Sequence, residues 1–184
     1  TLKKKTPDGA GGICEVEVKQ PVWVEPITQD GATNMLGALQ LAKDLAGKWI
    51  TDNPDGPAPV IINISDGVPF YDGKDPRDCM KETVLLAKEI MSMSNSDGNV
   101  LIFNAQIDKS SGTVVCPSDR SKVSQEEAQF LFDISSVIPE GYKAAAIKNE
   151  LDVKEGSRGC IFNADAVELI KLIDFGSSKG QGDK

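Results

Sequence analysis

The hydrophobic and polar positions of this 184-residue chain fall into two alternating periods. Thr1 to Thr6 and Ile13 to Lys19 flank a turn cluster, Pro7-Asp-Gly-Ala-Gly-Gly12, and the second run alternates Glu with Val. That pattern predicts a hairpin over residues 1–20 with one polar face. Val22-Trp23-Val24 is expected to extend a sheet edge after Pro21. Next, Met35, Ala38, Leu39, Ala42, Leu45, Ala46 and Trp49 recur at steps of three and four. They predict one apolar stripe on a helix capped by Thr33 or Asn34 and ended by Asn53-Pro-Asp-Gly-Pro57. Pro59 to Ser65 is a continuous apolar run, of the kind buried on both faces of a parallel sheet. A loop rich in Gly, Pro and Asp follows over 66–76. A helix is then expected from Arg77 to Met93, with Met80, Val84, Ala87 and Met91 inward.

The second half repeats the alternation. Asn99 to Ile107 reads as a strand, Asp108 to Ser124 as a loop, and Gln125 to Ser136 as a helix. Pro139 to Glu150 is expected to hold a short helix and Gly159 to Phe162 a short strand. Asn163 is expected to cap a last helix to about Ile173, before a polar tail from Gly176. Strands alternating with helices predict an α/β fold, a doubly wound, Rossmann-like, mostly parallel sheet with helices on both faces. One domain over 1–176 and a flexible tail over 177–184 are expected.

Composition narrows the chemistry. Twenty basic and twenty-eight acidic residues give a net charge of −8. Nucleic acid and anionic membranes need a basic face, so neither is expected as a partner. There is no histidine, which excludes a histidine base, a Ser-His-Asp triad and a His-ligated metal in this polypeptide. The four cysteines, Cys14, Cys79, Cys116 and Cys160, form no Cys-x-x-Cys pair, so zinc is not expected. Cys14 and Cys160 lie in apolar runs and read as buried thiols, which suits a reducing, cytoplasmic setting. No apolar stretch reaches the roughly 18 residues of a membrane span. Residue 1 is Thr, so an upstream segment is expected.

The most informative run is Ile61-Ile-Asn-Ile-Ser-Asp-Gly67. Ligands of open α/β sheets bind outside the carboxyl ends of the strands, where Asp66 would stand with Gly67 turning the chain away. Gly31-Ala-Thr33-Asn34 is a second turn that opens a helix. A carboxylate and a hydroxyl from two such turns can meet at one hard cation. As simpler roles, Asp66-Gly67 is a strand-ending turn and Gly31 to Asn34 a helix cap. Asp72, Asp75 and Asp78 could assist a cation, but read more simply as an exposed acidic loop.

Gly31-x-Thr33-Asn34, the helix with Ala38-Leu39, and Ser65-Asp66-Gly67 after a strand together resemble a von Willebrand factor A domain. Leu131-Phe-Asp-Ile-Ser-Ser136, Ile138-Pro-Glu140, Arg158-Gly-Cys-Ile-Phe-Asn-Ala-Asp165 and Leu172-Ile-Asp174 are similar to the intracellular bacterial versions found beside kinases, phosphatases and tellurite-resistance genes. The resemblance implies a metal-ion-dependent adhesion site holding Mg²⁺ or Mn²⁺, completed by an acidic residue of a protein partner. Thr33 and Asp66 would be the metal ligands and Ser65 their small polar neighbour. The family's first loop, Asp-x-Ser-x-Ser, is absent. Asp108-Lys-Ser110-Ser-Gly112 is its nearest imitation, without the last serine and after a different strand.

In that family the strand before the missing loop lies beside the equivalent of Val60 to Ile64. At about 1 kcal/mol net per hydrogen bond, its loss is comparable to a whole folding stability of about 5–15 kcal/mol. An upstream segment or separate chain is therefore expected to supply the first strand and helix. The implied function is a metal-dependent protein-binding module in a bacterial stress or phospho-signalling complex, without bond-breaking chemistry. The alternatives are a Mg²⁺-dependent phosphotransferase or hydrolase using Asp66, or a scaffold with a degenerate metal site.

Overall fold

A computed structural model describes residues 2–7, 12–18, 33–71, 73–107 and 112–178. Val22 to Val24, Gly31, Ala32, Asp72, Asp108 to Ser111 and the tail from 179 onward lie outside the described residues, and so do the expectations placed on them.

The chain forms two compact units, Thr1–Gly31 and Ala32–Lys184. The first contains β1 (Leu2–Pro7) and β2 (Ile13–Val18), paired antiparallel with Lys5 opposite Glu15. An opposite-charge cross-strand pair favours this register. Cys14 is exposed, which corrects the expectation of a buried thiol. Val16 is exposed too. A two-stranded ribbon has no second layer of its own to cover its side chains.

The second unit is mixed α/β. Its helices are α1 (Met35–Asp52), α2 (Pro76–Ser92), α3 (Glu126–Asp133), α4 (Lys143–Lys148) and α5 (Ala166–Ser177). Its main sheet contains β3 (Val60–Ser65), β6 (Leu101–Gln106), β7 (Val114–Val115) and β8 (Cys160–Phe162). The small hairpin of β4 (Ser94–Asn95) and β5 (Gly98–Asn99) stands apart from it. The sheet order is β3-β6-β8-β7, with β3-β6 and β6-β8 parallel and β7-β8 antiparallel. Three strands follow from the apolar runs. β7 falls inside a segment expected to be loop, because two valines carry no readable period.

Every residue of β6 is buried, and its alternating side chains feed two separate cores. Ile102 packs with α1, α2 and α3 through Leu39, Ile90 and Leu131. Leu101, Phe103 and Ala105 pack on the other face with Tyr142, Leu172 and Phe175. Phe103 stacks on Phe175 at 5.4 Å and meets Tyr142 edge-on at 5.7 Å. Asn104 is buried with no loss of pairing. It accepts from Asn63 Nδ2 at 2.9 Å and donates to Ser135 Oγ at 2.8 Å.

Helix boundaries follow local chemistry. Asn34 caps α1, its Oδ1 accepting the Gly37 N–H at 2.8 Å. Asp75 caps α2 with Pro76 in the first turn, the position where a missing N–H costs nothing. Asp165, rather than the expected Asn163, caps α5, accepting from Val167 and Glu168. Asn163 instead takes a positive φ of 53° and donates to the Gly112 carbonyl. Gly176 lies buried in α5 against Ile62, so the polar tail does not begin there.

Two expected faces are shifted. In α1, Met35, Leu39 and Ala46 are buried while Leu41, Leu45 and Trp49 form an exposed stripe. In α2 the buried side is Cys79, Thr83, Leu86, Ala87 and Ile90, with Met80, Val84 and Met91 only partly covered. Among the described residues no helix is long and apolar enough to cross a membrane.

Candidate functional site

The carboxyl end of β3 is built from three consecutive residues. Ser65 Oγ accepts the Gly67 N–H at 3.2 Å, and Asp66 Oδ1 accepts the Val68 N–H at 3.3 Å. Side-chain oxygens that close on the backbone two residues ahead hold tight turns of this type. Gly67 has φ +96°, a conformation that strains any other L-residue. The Asp66 side chain is exposed, and no group among the described residues takes its Oδ2.

Thr33 lies one residue before the cap of α1. Its carbonyl accepts the N–H of Met35 at 2.9 Å and of Phe70 at 3.0 Å. The second bond ties the segment carrying Thr33 to the loop that leaves Asp66. Among the described residues, that backbone bond is what links Thr33 to the loop leaving β3, at Phe70, four residues after Asp66. The chemistry there is hard oxygen from a carboxylate and hydroxyls, which suits Mg²⁺ or Mn²⁺ in kind. In number it is a partial shell, since Mg²⁺ completes six positions with waters or other ligands. Among the described residues no cluster of three or more His, Cys, Asp or Glu side chains could hold a metal.

The neighbouring acidic residues have structural partners. Asp75 caps α2. Asp78 pairs with Lys81 at 2.8 Å, and that bond holds its carboxyl below the ordinary range. The loop itself is pinned by a cluster without any sequence motif. Buried Tyr71 donates its hydroxyl to Glu82 Oε2 at 2.6 Å, and Lys74 Nζ lies 3.0 Å from both oxygens of Glu82. Burial, then the Glu82 carboxylate, pushes the Tyr71 hydroxyl well above its usual range. The hydrogen bonds from Tyr71 and Lys74 hold Glu82 below its own.

Spacing alone also gave no sign of Gln106. It pairs in register with Ser65 and is 4% exposed. Its Nε2 donates to the Asp66 carbonyl at 3.3 Å. A polar residue ending an otherwise apolar run was the available signal.

β3 is an edge strand among the described residues. The Pro59 and Ser65 carbonyls face β6, accepting from Leu101 and Ile107. Alternation along the strand then turns the N–H and C=O of Val60, Ile62 and Ile64 outward. A depression of about 320 Å³ straddles this edge, lined by Trp49 from one face and Gly176 from the other, with Val60 and Ile62 between. Ile64 is 42% exposed and Trp49 44%, so this edge is apolar, and among the described residues no strand pairs with it.

A cavity of about 440 Å³ between α2 and α3 has Met80, Val84 and Phe130 in its wall. Its basic groups are already matched. Arg77 pairs with Glu126, and Arg120 grips Asp133 through Nε and Nη2.

No family model, curated protein or solved structure matches this chain. The described residues define the class alone: a mixed α/β unit with a four-stranded, mostly parallel sheet and a Ser65-Asp66-Gly67 turn at the carboxyl end of its edge strand.

Proposed function

We propose that this chain is the larger part of a doubly wound, von Willebrand factor A-like module that binds a protein partner through a divalent cation. Thr33 and Asp66, with Ser65 beside them, would hold Mg²⁺ or Mn²⁺, and an acidic residue of the partner would enter its shell. The cation would supply positive charge to a partner carboxylate and carries no reaction step. The observation that supports this reading is the bond from the Phe70 N–H to the Thr33 carbonyl, which ties Thr33 to the loop that follows Asp66. The net charge of −8 makes capture of an acidic partner group depend on a bound cation.

The β3 edge, which no described strand pairs, supports the second half of the reading. An upstream segment or a separate chain would lay a strand along Val60, Ile62 and Ile64, and its helix would cover exposed apolar surface nearby. Three residues offering two backbone groups each give six groups, and about 1 kcal/mol net per bond makes about 6 kcal/mol available. The same segment would bring the missing Asp-x-Ser-x-Ser loop to the cation. The setting that fits a cation-bridged contact of this type is a cytoplasmic stress or phospho-signalling complex, with neither nucleic acid nor a membrane as partner.

Two measurements on protein isolated from its natural source test this. Mass spectrometry of the folded material should find the strand-supplying peptide with this chain; a lone, stable 184-residue species defeats that part. Calorimetric titration with Mg²⁺ and Mn²⁺ should show binding that Asp66→Ala abolishes, with no turnover of phosphate esters. Turnover that disappears in the variant would make the protein a phosphotransferase or hydrolase, and no binding at all would leave a scaffold.

A further inference from the structure

The amide of Gln106 does something that fold stability does not ask of it. The residue ends the central strand, and its own carbonyl is already engaged by the Ala164 N–H at 2.9 Å. Its side chain reaches sideways to the neighbouring strand's turn, where Nε2 donates to the Asp66 carbonyl. Gly67 packs directly on it: a Cβ at Gly67 would lie 3.1 Å from Nε2 and 3.2 Å from Leu131 Cδ1. The other end of the amide, Oε1, is buried and has no hydrogen-bond partner. A buried acceptor left unsatisfied lowers stability. A methionine or leucine would fill the space without that penalty. Departures from local packing rules with a visible polar gain concentrate at functional sites. Here the gain is one bond, made to the residue expected to hold the cation.

We propose that Gln106 is a positioning residue for the Asp66 turn. It clamps the Asp66 carbonyl from below, so that the exposed carboxylate leaves the sheet in one direction. This rests on the cation-binding reading for its purpose, but the clamp itself is a statement about the turn. Gly67 belongs to the same device, because any side chain there would push the amide away.

The test uses Gln106→Met in this chain, with Gln106→Leu as the second variant should the first fail to fold. Amide hydrogen exchange reads the turn without any metal. The Gly67 and Val68 N–H groups should exchange at least about fivefold faster in the variant, while Asn104 in the central strand is unchanged. Urea midpoints should equal or exceed that of the parent chain. Calorimetry with Mg²⁺ and Mn²⁺ alone should then show roughly tenfold weaker binding at undiminished stability. Unchanged exchange at Gly67 and Val68, or a fall in the urea midpoint, overturns the proposal. Faster exchange in a protein whose parent binds neither cation would sink the cation reading and leave the clamp standing.

Discussion

Gly159→Ala is the sharpest test of the packing that positions the sheet. Gly159 donates its N–H to the Ser136 carbonyl at 2.9 Å and accepts the Asn104 N–H at 2.8 Å, so its backbone is held from both sides. A Cβ at this position would collide with Phe103 Cδ1 and lie 2.6 Å from Cε1 and 2.8 Å from Cγ. The Phe103 ring has nowhere to go. It is fully buried, stacked on Phe175 and met edge-on by Tyr142. Overpacking usually costs about 1–3 kcal/mol, and a clash spread over three atoms of a trapped ring places this variant at about 3 kcal/mol. That is a large part of an ordinary stability of about 5–15 kcal/mol. Urea unfolding followed by circular dichroism should show the midpoint fall at an unchanged slope. The double variant Gly159→Ala/Phe103→Leu should lose less than the sum of its single changes, since the smaller side chain frees the space. A cost below about 1 kcal/mol for Gly159→Ala, or strict additivity in the double variant, would refute the reasoning.

Further outcomes follow from the polar and titratable groups. Asn104→Ala should cost about 2–4 kcal/mol in the same assay, because it strips buried partners from Asn63 and Ser135 at once. Burial pushes the Cys116 thiol up to about 12, and the Cys160 thiol higher still. Both values exceed the unfolded value of about 8.5, so the stability they protect is complete below that pH and is lost as pH rises. Each thiol should remove about 1.4 kcal/mol per pH unit; Cys160→Ala should flatten that limb in denaturant titrations from pH 8 to 10. Glu82 is shifted the other way, held low by Tyr71 and then Lys74. Its contribution is present above the unfolded value of about 4.3 and disappears as pH falls through the folded one. Tyr71→Phe should therefore weaken the acid dependence of unfolding between about pH 5 and 3.

Much of the architecture is legible in local chemistry. The apolar run before Ser65 ends where β3 ends, since a serine, an aspartate and a glycine at positive φ stop a strand by turn chemistry that acts over three residues. Asn34 is a readable cap for the same reason, a short acceptor followed by a helical period, whereas Asp75, read from the sequence as part of an acidic loop, proves to cap α2. Asp66 and Thr33 could be nominated because strand ends and helix starts are local features.

What tertiary structure alone decided is which of these elements share a border. That Leu45 and Trp49 are exposed while Leu39 and Ala46 are buried depends on what packs against α1, and a periodic stripe does not encode its own neighbour. The Phe70 bond to Thr33 and the Gln106 bond to Asp66 join residues 37 and 40 positions apart. The second exists only once β3 and β6 lie side by side in register. Hydrophobic period and turn chemistry are properties of a few adjacent residues, so the sequence determined the pieces. Strand order, the edge position of β3 among the described strands and the buried amide of Gln106 come from long-range pairing, whose energy no single segment carries.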